Sequence, residues 1–249
     1  MNNHCAIGII PARWGSTRFP GKSLIKLAGK PLILWVIEGA SRAKKLKEVI
    51  VATDDLRIKD VVESNGYQVR MTKSDHPSGT DRVAEVAALF DADVIVNIQG
   101  DEPLIDPDLL DMLVDVMNSN SKWDMATAAD VVYDEKIASK PSVVKVVCDS
   151  EGKALYFSRA LIPFKRDADN QSVERLRHIG VYAYRKDFLM RLVTEPPCFL
   201  ENIEKLEQLR ALYIGGKIFV VRTKYAGIGV DTPGDVKIVE EILKKDKNI

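Results

Sequence analysis

The sequence predicts an α/β fold built on a mainly parallel sheet, and three features predict it. Short runs rich in Ile and Val, "CAIGII" (5–10), "EVIVAT" (48–53) and "DVIVNI" (93–98), barely alternate in polarity, as strands covered on both faces do. Helical patterns separate them, so each strand should reach the next by a right-handed crossover. Each run also stops at a polar tip, "PAR", "TDD" and "QGDEP". In an open, Rossmann-like sheet ligands bind beyond the carboxyl ends of the strands, so the three tips are expected to converge on one site.

Taken in order, residues 31–46 read as the first helix, with Pro31 suited to its first turn. The helix over 55–66 is stopped by Gly66, and the helix over 80–90 starts on Thr80 as N-cap. A fourth helix spans 107–119. The pattern then changes: 125–133, 143–148 and 153–158 read as strands separated by turn signals, and "HIGVYAYR" (178–185) resumes one. Before that last strand, "FKRDADNQSVERLR" (164–177) is polar and charge-mixed, an exposed connection with little to bury. A helix over 200–213, a strand over 217–223 and a helix over 232–246 return to α/β type. Residues 1–249 are expected to form one α/β domain, with 124–186 a smaller inserted lobe of the kind used for dimer contacts.

Composition narrows the function. At 46% hydrophobic and 29% charged, the chain can bury a real core. Lys+Arg and Asp+Glu both number 36, so no excess charge points to nucleic acid or a membrane surface, and neither partner is expected. The three cysteines (Cys5, Cys148, Cys198) and three histidines (His4, His76, His178) are scattered, which offers no Cys/His metal cluster and suits a reducing compartment. The N-terminus lacks a signal-peptide pattern, and no apolar run approaches the about 18–20 residues that span a bilayer. A cytoplasmic location is expected.

The stretch "IIPARWGSTRFPGKSL" (9–24) looks at first like a phosphate loop. A Walker A motif reads G-x-x-x-x-G-K-[ST]. Here five residues separate Gly15 from Gly21, Pro20 removes a backbone donor, and no helix starts cleanly at Lys22. It is not a P-loop. What it offers is cationic charge: Arg13, Arg18, Lys22, Lys26 and Lys30 all precede the first acidic residue, Glu38. A solvated basic loop fits that charge as well as a triphosphate site does. Gly15 and Gly21 favour the second, because they let backbone approach a ligand closely.

This loop resembles the nucleotide-binding loop of the sugar cytidylyltransferases, with Arg13, Ser16, Arg18, Pro20 and Lys22 in the family's places. The likeness continues through "SGTDR" (78–82), "NIQGDEPLI" (97–105), "YFSRALIP" (156–163), "HIGVYAYR" (178–185), "LENIEKLEQLR" (200–210) and "GVDTP" (229–233). The ordered set covers nearly the whole chain and resembles the cytidylyltransferase family that acts on 3-deoxy-D-manno-octulosonate (Kdo). Trp14 and Ser23 fall where that family varies, and nothing is carried over from 164–177. The resemblance implies a nucleotidyltransferase of GT-A-like form, CTP and Kdo as substrates, Mg²⁺ as cofactor and a homodimer.

It also implies roles for residues. Asp101 and Glu102 sit in a turn-forming sequence beyond a buried strand, and the family makes Asp101 a Mg²⁺ ligand. Asp231 precedes a helix already capped by Thr232 and Asp235, and the family makes it the second carboxylate on the metal. Arg13 and Lys22, with these two aspartates, form the implied catalytic set. Pro11, Ala12, Ser16, Arg18, Thr53, Asp54, Ser78, Gly79, Arg82, Gln99 and Gly100 complete the expected nucleotide site, Gln99 as an amide able to read a base edge and Gly100 to admit the ring. Arg159, His178, Tyr182, Glu207 and Gln208 are implied on the sugar side, Arg159 as partner for an acidic sugar's carboxylate. The reaction implied is transfer of CMP from CTP to Kdo for lipopolysaccharide synthesis. A sialic acid or 8-amino-Kdo as acceptor, a sugar-1-phosphate nucleotidyltransferase or glycosyltransferase, and a CTP-binding regulator stand as alternatives.

Overall fold

The structure is a computed structural model that describes residues 5–15, 19–167, 172–225 and 227–246. The chain divides into two compact units, Met1–Val114 with Gly227–Ile249, and Asp115–Ala226. In chain order the elements are β1 (Ala6–Ala12), a 3₁₀ turn (Lys22–Leu24), β2 (Lys26–Leu27), β3 (Lys30–Pro31), α1 (Leu32–Ala40), β4 (Val49–Thr53), α2 (Leu56–Ser64), β5 (Gln68–Met71), α3 (Gly79–Ala87) and β6 (Val94–Asn97). Then come α4 (Pro107–Ser119), β7 (Met125–Val132), α5 (Glu135–Ala138), β8 (Lys145–Cys148), β9 (Ala154–Ser158), β10 (Arg175–Arg185), α6 (Lys186–Thr194), α7 (Phe199–Glu204), α8 (Gln208–Tyr213), β11 (Ile218–Arg222) and α9 (Pro233–Asp246).

In the first unit β6, β1, β4 and β5 pair in parallel, as the unbroken Ile/Val runs require. Ile7, Ile9, Ile10, Ile50, Val94 and Ile95 are buried, with Leu32, Ile33, Val36 and Ile37 of α1 and Val83 and Val86 of α3. Strand β1 runs on through Pro11, which pairs with Ala52 of β4 beyond the point where β6 pairing ends. A proline, with no N–H to give, is tolerated there.

The differences from the sequence reading have local causes. Strand β5 was not foreseen, because as an edge strand it buries only Val69. Helix α1 stops at Ala40 rather than at 46, since the amides of Lys44 and Lys45 donate to the Asp111 carboxylate and Lys47 N–H donates to Ala6 O, which feeds the chain into β4. Helix α3 is capped by Ser78, not Thr80: Ser78 Oγ accepts from the amides of Thr80 and Asp81 at 3.1 and 3.2 Å and donates to Asp81 Oδ2 at 2.6 Å. Thr80 is buried in the first turn.

The second unit is wider than the expected lobe over 124–186. Strand β7 pairs with β11 in parallel and with β10 antiparallel, while β8 joins β10 to β9. Two short helices, α5 and α6, went unforeseen, and of the polar connection over 164–177, residues 175–177 already belong to β10. The expected helix over 200–213 breaks into α7 and α8 at Lys205, whose φ of 53° is left-handed. Leu206 N–H then returns to Glu201 O, the reversal that ends helices in a Schellman motif. Among the described residues no helix is long and apolar enough to cross a membrane.

Gly216 leads from α8 into β11, and a Cβ there would meet the Phe188 ring and lie 2.7 Å from Ala211 O. Gly216→Ala is expected to lower stability by roughly 1–3 kcal/mol, read from the urea midpoint, and an unchanged midpoint would contradict this packing.

Candidate active site

The tips of β1 and β6 meet in the first unit, as the strand order requires. A cavity of about 290 Å³ is lined by Pro11, Ala12, Arg13, Lys22, Ser23, His76, Pro77, Ser78, Gly79, Arg82, Gln99, Gly100, Asp101 and Asp231. Its organising contact is the ammonium of Lys22. Lys22 Nζ donates to Asp101 Oδ2 at 2.5 Å and to Asp231 Oδ1 at 3.3 Å. Three separate segments supply these groups: the 3₁₀ turn, the loop after β6 and the turn before α9.

Each is fixed by its backbone. Val230 N–H donates to Asp101 O at 2.8 Å, which joins the loop after β6 to the segment that carries Asp231. Asp235, on the first turn of α9, accepts from the amides of Asp231 and Thr232 at 3.0 and 2.7 Å and from the Thr232 hydroxyl at 2.9 Å. Burial pushes the Asp235 carboxyl up, but these hydrogen bonds outweigh it and hold the group below its usual value. The cap thus sets the Asp231 backbone and leaves its carboxylate facing Lys22.

Gly100, which lines the cavity, also answers a packing need. A Cβ at this position would lie 2.7 Å from Pro11 O, so glycine is what lets the loop after β6 pass beside the end of β1. At Gly79 a Cβ would meet the Pro11 ring at 3.5 Å from Cγ and 3.8 Å from Cβ, ordinary contacts. Gly79 is therefore not required by space.

Of the other expected nucleotide residues, Ser16 and Arg18 lie outside the described residues. Arg13 lines the cavity and is exposed, while Arg82 lines it from a nearly buried position. Arg82 donates to Asp54 Oδ2 at 3.0 Å and to the Thr72 hydroxyl. Asp54 and Thr53 are not in the cavity wall. Asp54 holds Arg82, and the buried Thr53 hydroxyl accepts from Asp55 N–H at 3.2 Å. His76, which the sequence reading treated only as a scattered histidine, is in the wall and bonds Glu85 through Nε2. Glu85 also accepts from Lys73 N–H at 3.1 Å. Burial raises its carboxyl, but the His76 and Lys73 contacts prevail and hold it below the usual value. The signal for His76 was its place directly before "PSGTDR".

The residues implied on the sugar side belong to the second unit. Here β10 slips register against β7 between Ile179 and Tyr182. Thr127 Oγ1 lies 2.8 Å from Val181 O, 3.2 Å from Ile179 O and 3.1 Å from His178 Nε2, so it serves carbonyls that the irregular ladder leaves over. The His178 ring meets Phe157 edge-on at 5.0 Å and Tyr182 at 5.5 Å. Although the residue as a whole keeps partial exposure, burial of the ring pushes its pKa down to about 3 and keeps it neutral. Tyr182 OH donates to Gln208 Oε1 at 3.4 Å, and the buried Gln208 Nε2 has no hydrogen-bond partner. Glu207 stands ahead of α8, 4.0 Å from the Arg210 guanidinium.

Arg159 is used differently from the expectation. Its guanidinium donates to Glu204 O at 2.7 Å, Pro141 O at 2.8 Å and Lys205 O at 3.3 Å. The first and third are carbonyls orphaned by the end of α7, so the cation closes that helix. Glu204 in turn accepts from Ser158 Oγ at 2.6 Å and Arg159 N–H at 2.9 Å.

A parallel α/β sheet with cations lining a cavity at its carboxyl edge, and two carboxylates around one lysine, suits a phosphate-bearing ligand, and the fold is that of the nucleotidyltransferases. Comparison with known proteins agrees and is more specific. Residues 7–218 match the family described as Cytidylyltransferase. The chain is 49% identical over 240 residues to a 3-deoxy-manno-octulosonate cytidylyltransferase of Bdellovibrio bacteriovorus, covering 95% of this chain and 97% of that one. It is 49% identical over 245 residues to the enzyme of that name from Geobacter sulfurreducens, covering 95% and 98%. A solved CMP:2-keto-3-deoxy-manno-octonic acid synthetase complexed with CTP superposes with a TM-score of 0.93 at 40% identity, covering 97% of this chain and 99% of that one. The chain belongs to the 3-deoxy-manno-octulosonate cytidylyltransferase family.

Two expectations follow. Gly100→Ala should displace the loop that carries Asp101, lowering turnover at least about tenfold and thermal stability with it. Wild-type turnover would contradict the close approach to Pro11. For His178, the depressed pKa means that the unfolded chain binds a proton first as pH falls below 6.5, so stability is lost between pH 6.5 and about 3. An NMR titration of the His178 ring should show it neutral at about pH 5, and a midpoint near the free value would contradict its burial.

Proposed function

We propose that the chain transfers CMP from CTP to the anomeric hydroxyl of Kdo, giving CMP-Kdo and pyrophosphate. The observation that carries this reading is the Lys22–Asp101–Asp231 junction in the cavity of a chain that matches a Kdo cytidylyltransferase over 95% of its length. The hydroxyl oxygen forms a bond to the α-phosphorus, the α–β phosphoanhydride bond breaks to release pyrophosphate, and the hydroxyl proton passes to solvent. Charge grows on the α-phosphoryl oxygens and on the departing pyrophosphate, so the protein acts mainly by positioning and by cationic stabilisation.

Arg13 offers a fork of donors to phosphate oxygens, and Lys22 a point charge whose three protons can serve phosphate and carboxylate together. Arg82, braced by Asp54 and Thr72, places a further fixed cation in the wall. Gln99 supplies an amide to a base edge. In the second unit, the unpaired Gln208 Nε2 and the Tyr182 hydroxyl suit sugar hydroxyls, and the neutral His178 orients Tyr182 by ring contact.

Mg²⁺ fits this donor set. Asp101 and Asp231 already share a cation, and Mg²⁺ takes one or two carboxylates with phosphate oxygens and water. Among the described residues no group of three or more His, Cys, Asp or Glu could hold a metal, which suits an ion whose shell the nucleotide completes. Bound there by Asp101 and Asp231, it would neutralise phosphate charge and polarise the attacking hydroxyl.

We place the protein in the cytoplasm, where it would feed lipopolysaccharide assembly, and take it to act as a homodimer. Of the large apolar side chains that the second unit exposes, Tyr133, Ile137, Leu155 and Phe164 lie within the stretch expected to make the contact, while Phe199, Ile203 and Tyr213 lie outside it. Light scattering should give twice the 27.8 kDa chain mass, and a monomer at assay concentration would contradict the dimer.

Pyrophosphate release with Mg²⁺ and CTP tests the reaction, comparing Kdo, 8-amino-Kdo, N-acetylneuraminate and no acceptor. Release that requires Kdo is expected, and release only with another sugar would overturn the acceptor. Lys22→Ala and Asp101→Ala should each cost about 10²–10³ in turnover, and wild-type rates in either would overturn its role.

A further inference from the structure

We propose that Trp14 is a positioning residue for the nucleotide: clasped by Arg57 and Gly21, its indole fixes Gly21 and, through it, the neighbouring Lys22 in the place that receives CTP. The proposal rests on the cytidylyltransfer reading above. Trp14 lies between the two cations at the loop's ends, yet it is absent from the cavity wall. The Arg57 guanidinium carbon sits 3.3 Å from the centroid of the indole. That cation is held in place, since Arg57 Nε and Nη2 donate to Asp55 Oδ1 and Oδ2 at 2.9 and 2.6 Å. Asp55 is also the N-cap of α2, accepting from Arg57 N–H at 2.9 Å. The benzo edge of the indole packs on Gly21, where an added Cβ would lie 2.9 Å from Trp14 Cη2 and where φ is +70°. Gly21 N–H closes the loop by donating to Trp14 O at 3.0 Å.

Contacts thus run from the cap of α2 through Arg57, Trp14 and Gly21 to Lys22, the next residue. Helix α2 gives no residue to the cavity wall, and this ring joins Arg57 of its first turn to the chain at Lys22. Gly21 is free to turn in either sense, and a ligand that binds one arrangement at Lys22 loses affinity in proportion to the fraction lost. The cation–π contact raises that fraction. Once CTP is bound the reacting groups are placed as before, so the effect falls on KM more than on kcat.

The test measures CTP Kd, KM and kcat in the full-length protein with Mg²⁺ for Trp14→Ala, Trp14→Phe, Arg57→Ala, the Trp14→Ala/Arg57→Ala double variant and Lys59→Ala. Lys59→Ala removes a cation from the same helix without touching the ring. Trp14→Ala and Arg57→Ala should each raise Kd and KM about three- to tenfold, with kcat within about twofold. The double variant should be no worse than the larger single, Trp14→Phe should restore most of the affinity, and Lys59→Ala should match wild type. In a Trp35→Phe/Trp123→Phe background, Trp14 emission should shift to the red on Arg57→Ala. If Trp14→Ala does not fold, Arg57→Ala, on an exposed side chain, carries the test. Unchanged CTP affinity in Arg57→Ala, multiplying effects in the double variant, or an equal loss in Lys59→Ala would overturn the clasp and leave the cytidylyltransfer reading standing. No CTP turnover in the unmodified protein would overturn that reading, and the clasp with it.

Discussion

The ammonium of Lys22 joins parts of the chain that lie 79 and 209 residues from it. Its contact with Asp101 involves side chains only 17% and 26% exposed, whereas Asp231 is half exposed, so the second pair contributes at most about 1 kcal/mol by itself. The larger consequence is electrostatic. Two carboxylates brought together at a strand edge repel each other unless a cation lies between them. Lys22 meets that need in the protein alone, and a metal and a triphosphate bring charges that suit the same place. The sheet, the cap of α9 and the close pass of Gly100 beside Pro11 all set where those three groups stand.

Much of this was legible in the sequence because it follows from period and punctuation. Unbroken Ile/Val runs gave parallel strands, and the polar residues after them gave the edge where the cavity lies. Fixing the meeting of Asp101 with Asp231 needed either the three-dimensional fold or the ordered likeness to a family, since no local rule spans such a separation. The Asp231 segment was the most readable, because Thr232, Pro233 and Asp235 already spell a helix start.

What was not legible has the opposite character, depending on partners distant in sequence. The break at Lys205 is invisible to helical periodicity, which continues through it. It exists because the loose carbonyls of Glu204 and Lys205 find the Arg159 guanidinium. The same contact gives Arg159 carbonyl partners that its sequence position did not suggest. Thr53 and Asp54 looked like site residues because they end a strand, yet β4 lies one strand further from β6 than β1 does; Asp54 braces Arg82 and Thr53 accepts from Asp55 N–H, and neither lines the cavity. His76 and Trp14 read as a scattered histidine and a variable position. Only the packing of Glu85 and Arg57 against them shows a use.

The most direct test of the account is a crystal structure with CTP and Mn²⁺, in which anomalous scattering locates the ion. The account predicts a peak between the carboxylates of Asp101 and Asp231, with the triphosphate against Arg13 and Lys22. A nucleotide bound elsewhere, or an ion that touches neither aspartate, would contradict it.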